Sequence, residues 1–157
     1  MSGELNRVEP GELTSADRAR VIDSFGRQAV MGALGIELAH LAAGKVELVM
    51  PFDARFTQQH GFVHAGIMTT GMDSAAGYAA FSLMAPEAAV LTVEFKTSLL
   101  APAEGERFRF IADVVKPGRT LTFVEARAIA CRAGKERLVA TMSTTMMAVF
   151  DRQGVRH

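Results

Sequence analysis

A single carboxylate, Asp73, stands inside the run Ala65 to Met84, which holds no Lys, Arg or Glu and is built mainly of Ala, Gly, Met, Thr and aromatic or branched apolar residues. Asp is a poor helix-interior residue, and a buried carboxylate without partners is costly. Two readings follow. Asp73 bonds a neighbour such as Ser74, Tyr78 or a backbone group, or it is a base or nucleophile whose pKa is set by burial. Position alone leaves both open.

Ahead of it lies QQHGFVHAG, Gln58 to Gly66, with two histidines four residues apart. A zinc site needs a third and usually a fourth ligand, and a remote Cys131 is poor support, so no metal is expected. His64, Ala65, Gly66 and Ile67 fall where a helix should begin, and the first turn of a helix leaves N–H groups unsatisfied at the positive end of its dipole. A carbonyl oxygen gaining negative charge would be stabilised there. Gly66, without a side chain, allows close approach. Asp73 lies about two turns on, roughly 10 Å along the axis, too far to reach the same carbonyl. A facing copy of the helix in a symmetric dimer removes the difficulty, by placing one subunit's Asp73 near the other's helix start.

The elements that must hold these residues can be read from periodicity. Residues 1 to 13 are polar with a Pro-Gly pair and are expected to form a flexible arm, followed by one domain over 14 to 157. Thr14, Ser15 or Asp17 caps a helix running to about Met31, with Ala19, Ile22, Phe25 and Ala29 on its apolar face and Gly32 and Gly35 at its end. Two short strands, about 36 to 42 and 45 to 51, join near Gly44, with Val46, Leu48 and Met50 alternating against Glu47 and Val49. A loop spans about 53 to 63. The helix from Ala65 to Met84 has no solvated face and should be surrounded by protein. Four long strands follow, in AVLTVEFKTSLLAP, GERFRFIADVVKPGR, TLTFVEARAIAC and KERLVATMSTTMMAVF. Leu91, Val93 and Phe95 alternate in the first and Phe108, Phe110, Ala112 and Val114 in the second. Gly118 and Gly134 mark turns. The class is therefore α+β: an antiparallel sheet wrapped around a long central apolar helix, with an additional N-terminal helix.

Composition narrows the function. Lys plus Arg and Asp plus Glu are 17 each, with no basic block, which argues against nucleic acid as a partner. One cysteine excludes an internal disulfide framework and suits a reducing compartment. The start MSGELNRVEPGEL has neither the basic nor the apolar region of a secretory signal, and no stretch approaches the ~18 apolar residues of a membrane span. A cytoplasmic protein without membrane association is expected. Hydrophobic residues at 49% are abundant for a small monomer, which points to burial by self-association.

GFVHAGIMTTGMD, LTVEFKTSLLAPAEGE and KPGRTLTFVEA together resemble the acyl-CoA thioesterases of the hotdog fold, in the branch typified by the phenylacetate-pathway thioesterase. The likeness spans roughly residues 30 to 150. The family signature is Asn, two residues, Gly, two residues, His-Gly-Gly, then Asp after seven more. The spacing is kept here by Gln58, Gly61, His64, Ala65, Gly66 and Asp73, with Gln in place of Asn and Ala in place of the first Gly. Gln58 retains an amide, and Ala65 retains the backbone N–H that polarises the carbonyl.

The resemblance implies hydrolysis of an apolar acyl-CoA or aryl-CoA without a cofactor. Asp73 would attack the thioester or activate water, Ala65 N–H would hold the oxyanion, and Gln58 would come from the subunit opposite Asp73. His64 would hold the loop through a backbone hydrogen bond, and Thr92 would assist the attacking water. Lys116 and Arg119, in the KPGRT turn bordering the coenzyme A channel, would meet its phosphates. Homodimers with shared active sites would assemble into a dimer of dimers, a homotetramer. A dehydratase of the same fold and a non-catalytic acyl-CoA binding protein are the alternative readings.

Overall fold

The computed structural model describes residues 12–154, so the expected arm lies outside the described residues as far as residue 11. The strands that alternate in the sequence bury one face. β1 (Glu37–Ala42) and β2 (Lys45–Pro51) form a hairpin, and β2 buries Val46, Leu48 and Met50. β3 (Ala89–Leu99), β4 (Arg107–Lys116), β5 (Leu121–Arg132) and β6 (Lys135–Val149) complete a six-stranded sheet in the order β1-β2-β4-β5-β6-β3, antiparallel at every pairing. Phe108, Phe110, Ala112 and Val114 of β4 all point into the core, as their spacing requires.

That apolar face needs a cover, and the long, charge-poor helix supplies it. α3 (Ala65–Phe81) packs against β2 through β6, and most of its residues from Met68 to Phe81 are buried. It ends at Phe81, three residues earlier than the apolar run suggests. Gly71 brings it down onto the sheet: a Cβ there would stand 2.4 Å from the Phe110 ring, so only glycine permits this separation.

The N-terminal segment differs from the single helix expected. α1 (Ser15–Arg27) starts at Thr14, whose hydroxyl accepts from the Asp17 N–H at 3.1 Å, but the chain breaks at Gln28 before α2 (Ala29–Leu34). The apolar face is also offset. Ala19, Ile22 and Ala29 are exposed, while Val21 and Ser24 are buried. Tertiary partners decide this: the Ser24 hydroxyl lies 3.3 Å from the Tyr78 hydroxyl, and the Phe25 ring meets Tyr78 edge-on. Arg20 on the same side donates to the carbonyls of Phe81 (3.2 Å) and Met84 (3.0 Å), closing the C-terminal end of α3.

β3 corrects a second expectation. A register shift between Thr92 and Glu94 leaves Val93 as a bulge. Thr92 then lies opposite Met146 and Phe95 opposite Thr144, so these two residues, three apart, share the helix-side face. The simple alternation of Leu91, Val93 and Phe95 does not survive. β3 is also a sheet edge, and Val93 (54%), Phe95 (48%) and Leu99 (58%) remain exposed along it.

Candidate active site

The loop before α3 closes on itself. Gly61, at φ +84, takes the left-handed turn for which glycine is suited; its N–H reaches the Gln58 carbonyl at 3.0 Å, and Thr57 bridges Val63. The Gln58 side-chain oxygen accepts from the His60 N–H. His64 then caps α3. Its Nδ1 accepts from the Gly66 N–H at 2.9 Å, and its carbonyl accepts from Ile67 (2.9 Å) and Met68 (3.3 Å). Four residues could have shared the open helix start. Among the described residues only the Ala65 N–H in this first turn is left without an acceptor, at the positive end of the helix dipole. A Cβ on Gly66 would stand 3.1 Å from His64 Nδ1, so with any larger residue the imidazole would have to shift by a few tenths of an ångström to keep this cap.

Ala65 borders a groove of about 550 Å³, lined also by Gln58, Phe62, His64, Met68 and Leu99. That volume lies within the roughly 300–1,000 Å³ of small-molecule sites. Asp73 is not part of its lining. It opens, two turns further along α3, on a separate cleft of about 80 Å³ shared with Gln28, Ser74, Gly77, Tyr78 and Thr92. The groove and the cleft have no lining residue in common.

Thr92, placed on the helix side by the bulge, donates from Oγ1 to Asp73 Oδ1 at 2.9 Å. Burial pushes the Asp73 carboxyl above the ordinary aspartate range, and the Thr92 hydroxyl opposes this by stabilising the charged form. Neither neighbour considered from sequence is its partner: Ser74 donates to Gln28 at 3.3 Å, and Tyr78 meets Ser24. Asp73 and Thr92 thus lie together at one place along α3, and Gln58, His64, Ala65 and Gly66 lie together at its start, about two helical turns away. Gln28 was not singled out by its sequence context; its place in the cleft follows from the break between α1 and α2.

Lys116 and Arg119 are exposed and line neither space. Their turn stands at the Asp73 end of the sheet, since Thr92 and Thr122 flank the same residue of β6, Met146. Gly118 is required there, because a Cβ would lie 2.1 Å from the Leu121 carbonyl oxygen. Cys131 is buried, with Sγ 3.8 Å from a Glu136 carboxylate oxygen. No group of three or more metal-ligating side chains occurs among the described residues. No helix among them is long and apolar enough to cross a membrane.

Comparison with known proteins converges on one family. A sequence model described as the thioesterase superfamily matches residues 60–135. A Halobacterium salinarum protein, named provisionally as an esterase, is 34% identical over 117 residues, covering 69% of this chain and 76% of the relative. A crystal structure of a thioesterase family protein from Silicibacter pomeroyi is 61% identical, with a TM-score of 0.85, covering 85% of this chain and 98% of that one. The PaaI protein of the Escherichia coli phenylacetic acid degradation operon shares the fold at 18% identity, with a TM-score of 0.79 over 88% of this chain and 96% of its own.

Proposed function

Because the chain belongs to the thioesterase superfamily and has its hotdog fold, we propose that it hydrolyses the thioester of an apolar acyl-CoA or aryl-CoA to the free acid and coenzyme A, in the manner of the phenylacetate-pathway branch. The observation that carries the reading is the Thr92–Asp73 pair: a half-buried carboxylate, its pKa raised by desolvation and its oxygen held by one hydroxyl, in a helix segment with no other charge. Such a group is suited to general-base or nucleophilic work, since its basicity is higher than that of a solvated aspartate.

The division of the site between groove and cleft supports a homodimer in which Asp73 of one subunit faces the groove of the other. The exposed apolar edge of β3 is the surface that such pairing would cover. The thioester carbonyl then sits at the partner subunit's Ala65 N–H, with the partner subunit's Gln58 amide beside it. The acyl group lies against apolar groove residues such as Phe62, Met68 and Leu99. Lys116 and Arg119, exposed in a turn at the Asp73 end of the sheet, are available to the phosphates of coenzyme A. Two such dimers form the homotetramer, in a cytoplasmic setting where acyl-CoA is found.

The test is release of free thiol from a panel of short, long and aryl acyl-CoAs by wild type and by Asp73→Asn. Hydrolysis that the substitution removes, with the oligomer intact, is the expected result. No turnover of any acyl-CoA by wild type, or equal turnover by both proteins, would overturn the reading.

A further inference from the structure

Gln28 lines the cleft onto which Asp73 opens. It stands at the N-cap of α2, yet its side chain makes no capping hydrogen bond. Its backbone is extended (φ −79, ψ 97), and the side chain instead meets α3, where Oε1 accepts from the Ser74 hydroxyl at 3.3 Å. Ser74 is the residue after Asp73, and all three line the 80 Å³ cleft with Thr92. The start of α2 thus has no side-chain cap, and the Gln28 amide instead enters the cleft that Asp73 lines.

The size of the cleft decides what it can hold. At about 80 Å³ it is well below the roughly 300 Å³ at which organic ligand sites begin. A water takes about 30 Å³ and needs two to four polar partners. The carboxylate of Asp73 accepts, the amide NH₂ of Gln28 donates, and the hydroxyls of Ser74 and Thr92 complete a polar wall.

We propose that Gln28, anchored by Ser74, is a positioning residue that holds the hydrolytic water against Asp73. The inference rests on the thioesterase reading above. The water gives a proton to the Asp73 carboxylate as its oxygen bonds the thioester carbon. The carbon–sulfur bond breaks and the sulfur takes that proton, so one water and one thioester become one acid and one thiol. If Asp73 instead attacks first, an anhydride forms and the thiolate leaves; the same water then hydrolyses the anhydride, its hydroxyl going to the acyl carbon and its other proton to the thiolate, and the Asp73 carboxylate returns.

The test compares wild type, Gln28→Ala and Ser74→Ala on one turned-over acyl-CoA, in water and in water with methanol, following both thiol release and the acylated product by mass spectrometry. Removal of the Gln28 side chain lowers kcat about tenfold or more at unchanged KM, and the widened cleft admits methanol, so methyl ester appears beside the free acid. Wild type yields acid alone. Ser74→Ala, a smaller change, lowers kcat in the same direction at unchanged KM. Unchanged kcat in both variants overturns the proposal, as does a loss of activity in Gln28→Ala that follows a lowered Tm and brings no ester. Absence of thiol release by wild type would strike the thioesterase reading instead.

Discussion

The Thr92 hydroxyl donates to Asp73 Oδ1 across 2.9 Å, joining a bulged edge strand to the central helix. The bulge at Val93 makes the bond possible, because it puts Thr92 and Phe95 on one face. Burial raises the Asp73 pKa, and this hydrogen bond lowers it. Thr92→Val removes only the second effect, so the Asp73 pKa rises further. The acidic limb of a kcat/KM–pH profile moves to higher pH, and near that limb activity falls about tenfold or more, the scale of a lost hydrogen bond to a charged group. A limb that stays in place would assign the profile to another group.

The same carboxylate should cost stability. A pKa raised in the folded state means that the folded chain holds its proton to higher pH than the unfolded chain, so stability is full below the ordinary value of 3.8 and is lost as pH rises through the folded value. Asp73→Asn keeps an oxygen to accept from Thr92 and removes the charge. Its Tm exceeds that of wild type near pH 7, and the advantage disappears as pH falls below about 4. Thermal melts at the two pH values check this, and an equal or lower Tm at pH 7 contradicts it.

Ala65→Pro isolates the oxyanion contact. Proline is favoured at the first helical position, and His64 already has the extended backbone (φ −59, ψ 139) that a residue before proline prefers. The variant should therefore fold with little change in Tm while lacking the one open N–H of the first turn. The expected loss in kcat is about 10²–10³-fold, as for removal of one oxyanion donor. Activity within a factor of two of wild type would place the oxyanion elsewhere.

Much of this fold is written locally. Val46, Leu48 and Met50, or Phe108 through Val114, keep a period of two because one face meets α3, and the absence from α3 of any charge but Asp73 says that it is enclosed. The remainder depends on distant partners. Nothing near Val93 marks a bulge; the pairing of Thr92 with Met146 and of Glu94 with Thr145 sets it. Gln28 interrupts α1 without proline, and its side chain answers to Ser74, 46 residues away. The candidate site was legible as residue types in a motif, but that His64 would close the Gly66 N–H and leave Ala65 open depends on the geometry of the cap.

Gly71→Ala tests how closely α3 lies on the sheet. The added methyl would fall 2.4 Å from the Phe110 ring, in a region where both residues are buried, so helix or ring must shift. The expected destabilisation is about 1–3 kcal/mol, as for overpacking elsewhere. Because a smaller side chain at 110 makes room for the methyl, adding Phe110→Leu costs less in the Gly71→Ala background than in wild type. Strict additivity in chemical denaturation would mean that the two residues do not share that space.

Complementation between subunits distinguishes a shared site from one contained in a single chain. Asp73 and Ala65 open on different spaces with no lining residue in common, so in the proposed dimer each site takes one of them from each subunit. Asp73→Asn and Ala65→Pro are each nearly inactive alone. A heterodimer of the two contains one site with both groups intact and one with neither. Random mixing of equal amounts makes half of the dimers heterodimers, so co-refolding returns about a quarter of wild-type activity. If both groups of a site came from one chain, every site in the mixture would carry a defect and no activity would return. Co-refolding with thiol release as the readout, and heterodimer formation confirmed by differential tags, decides between them.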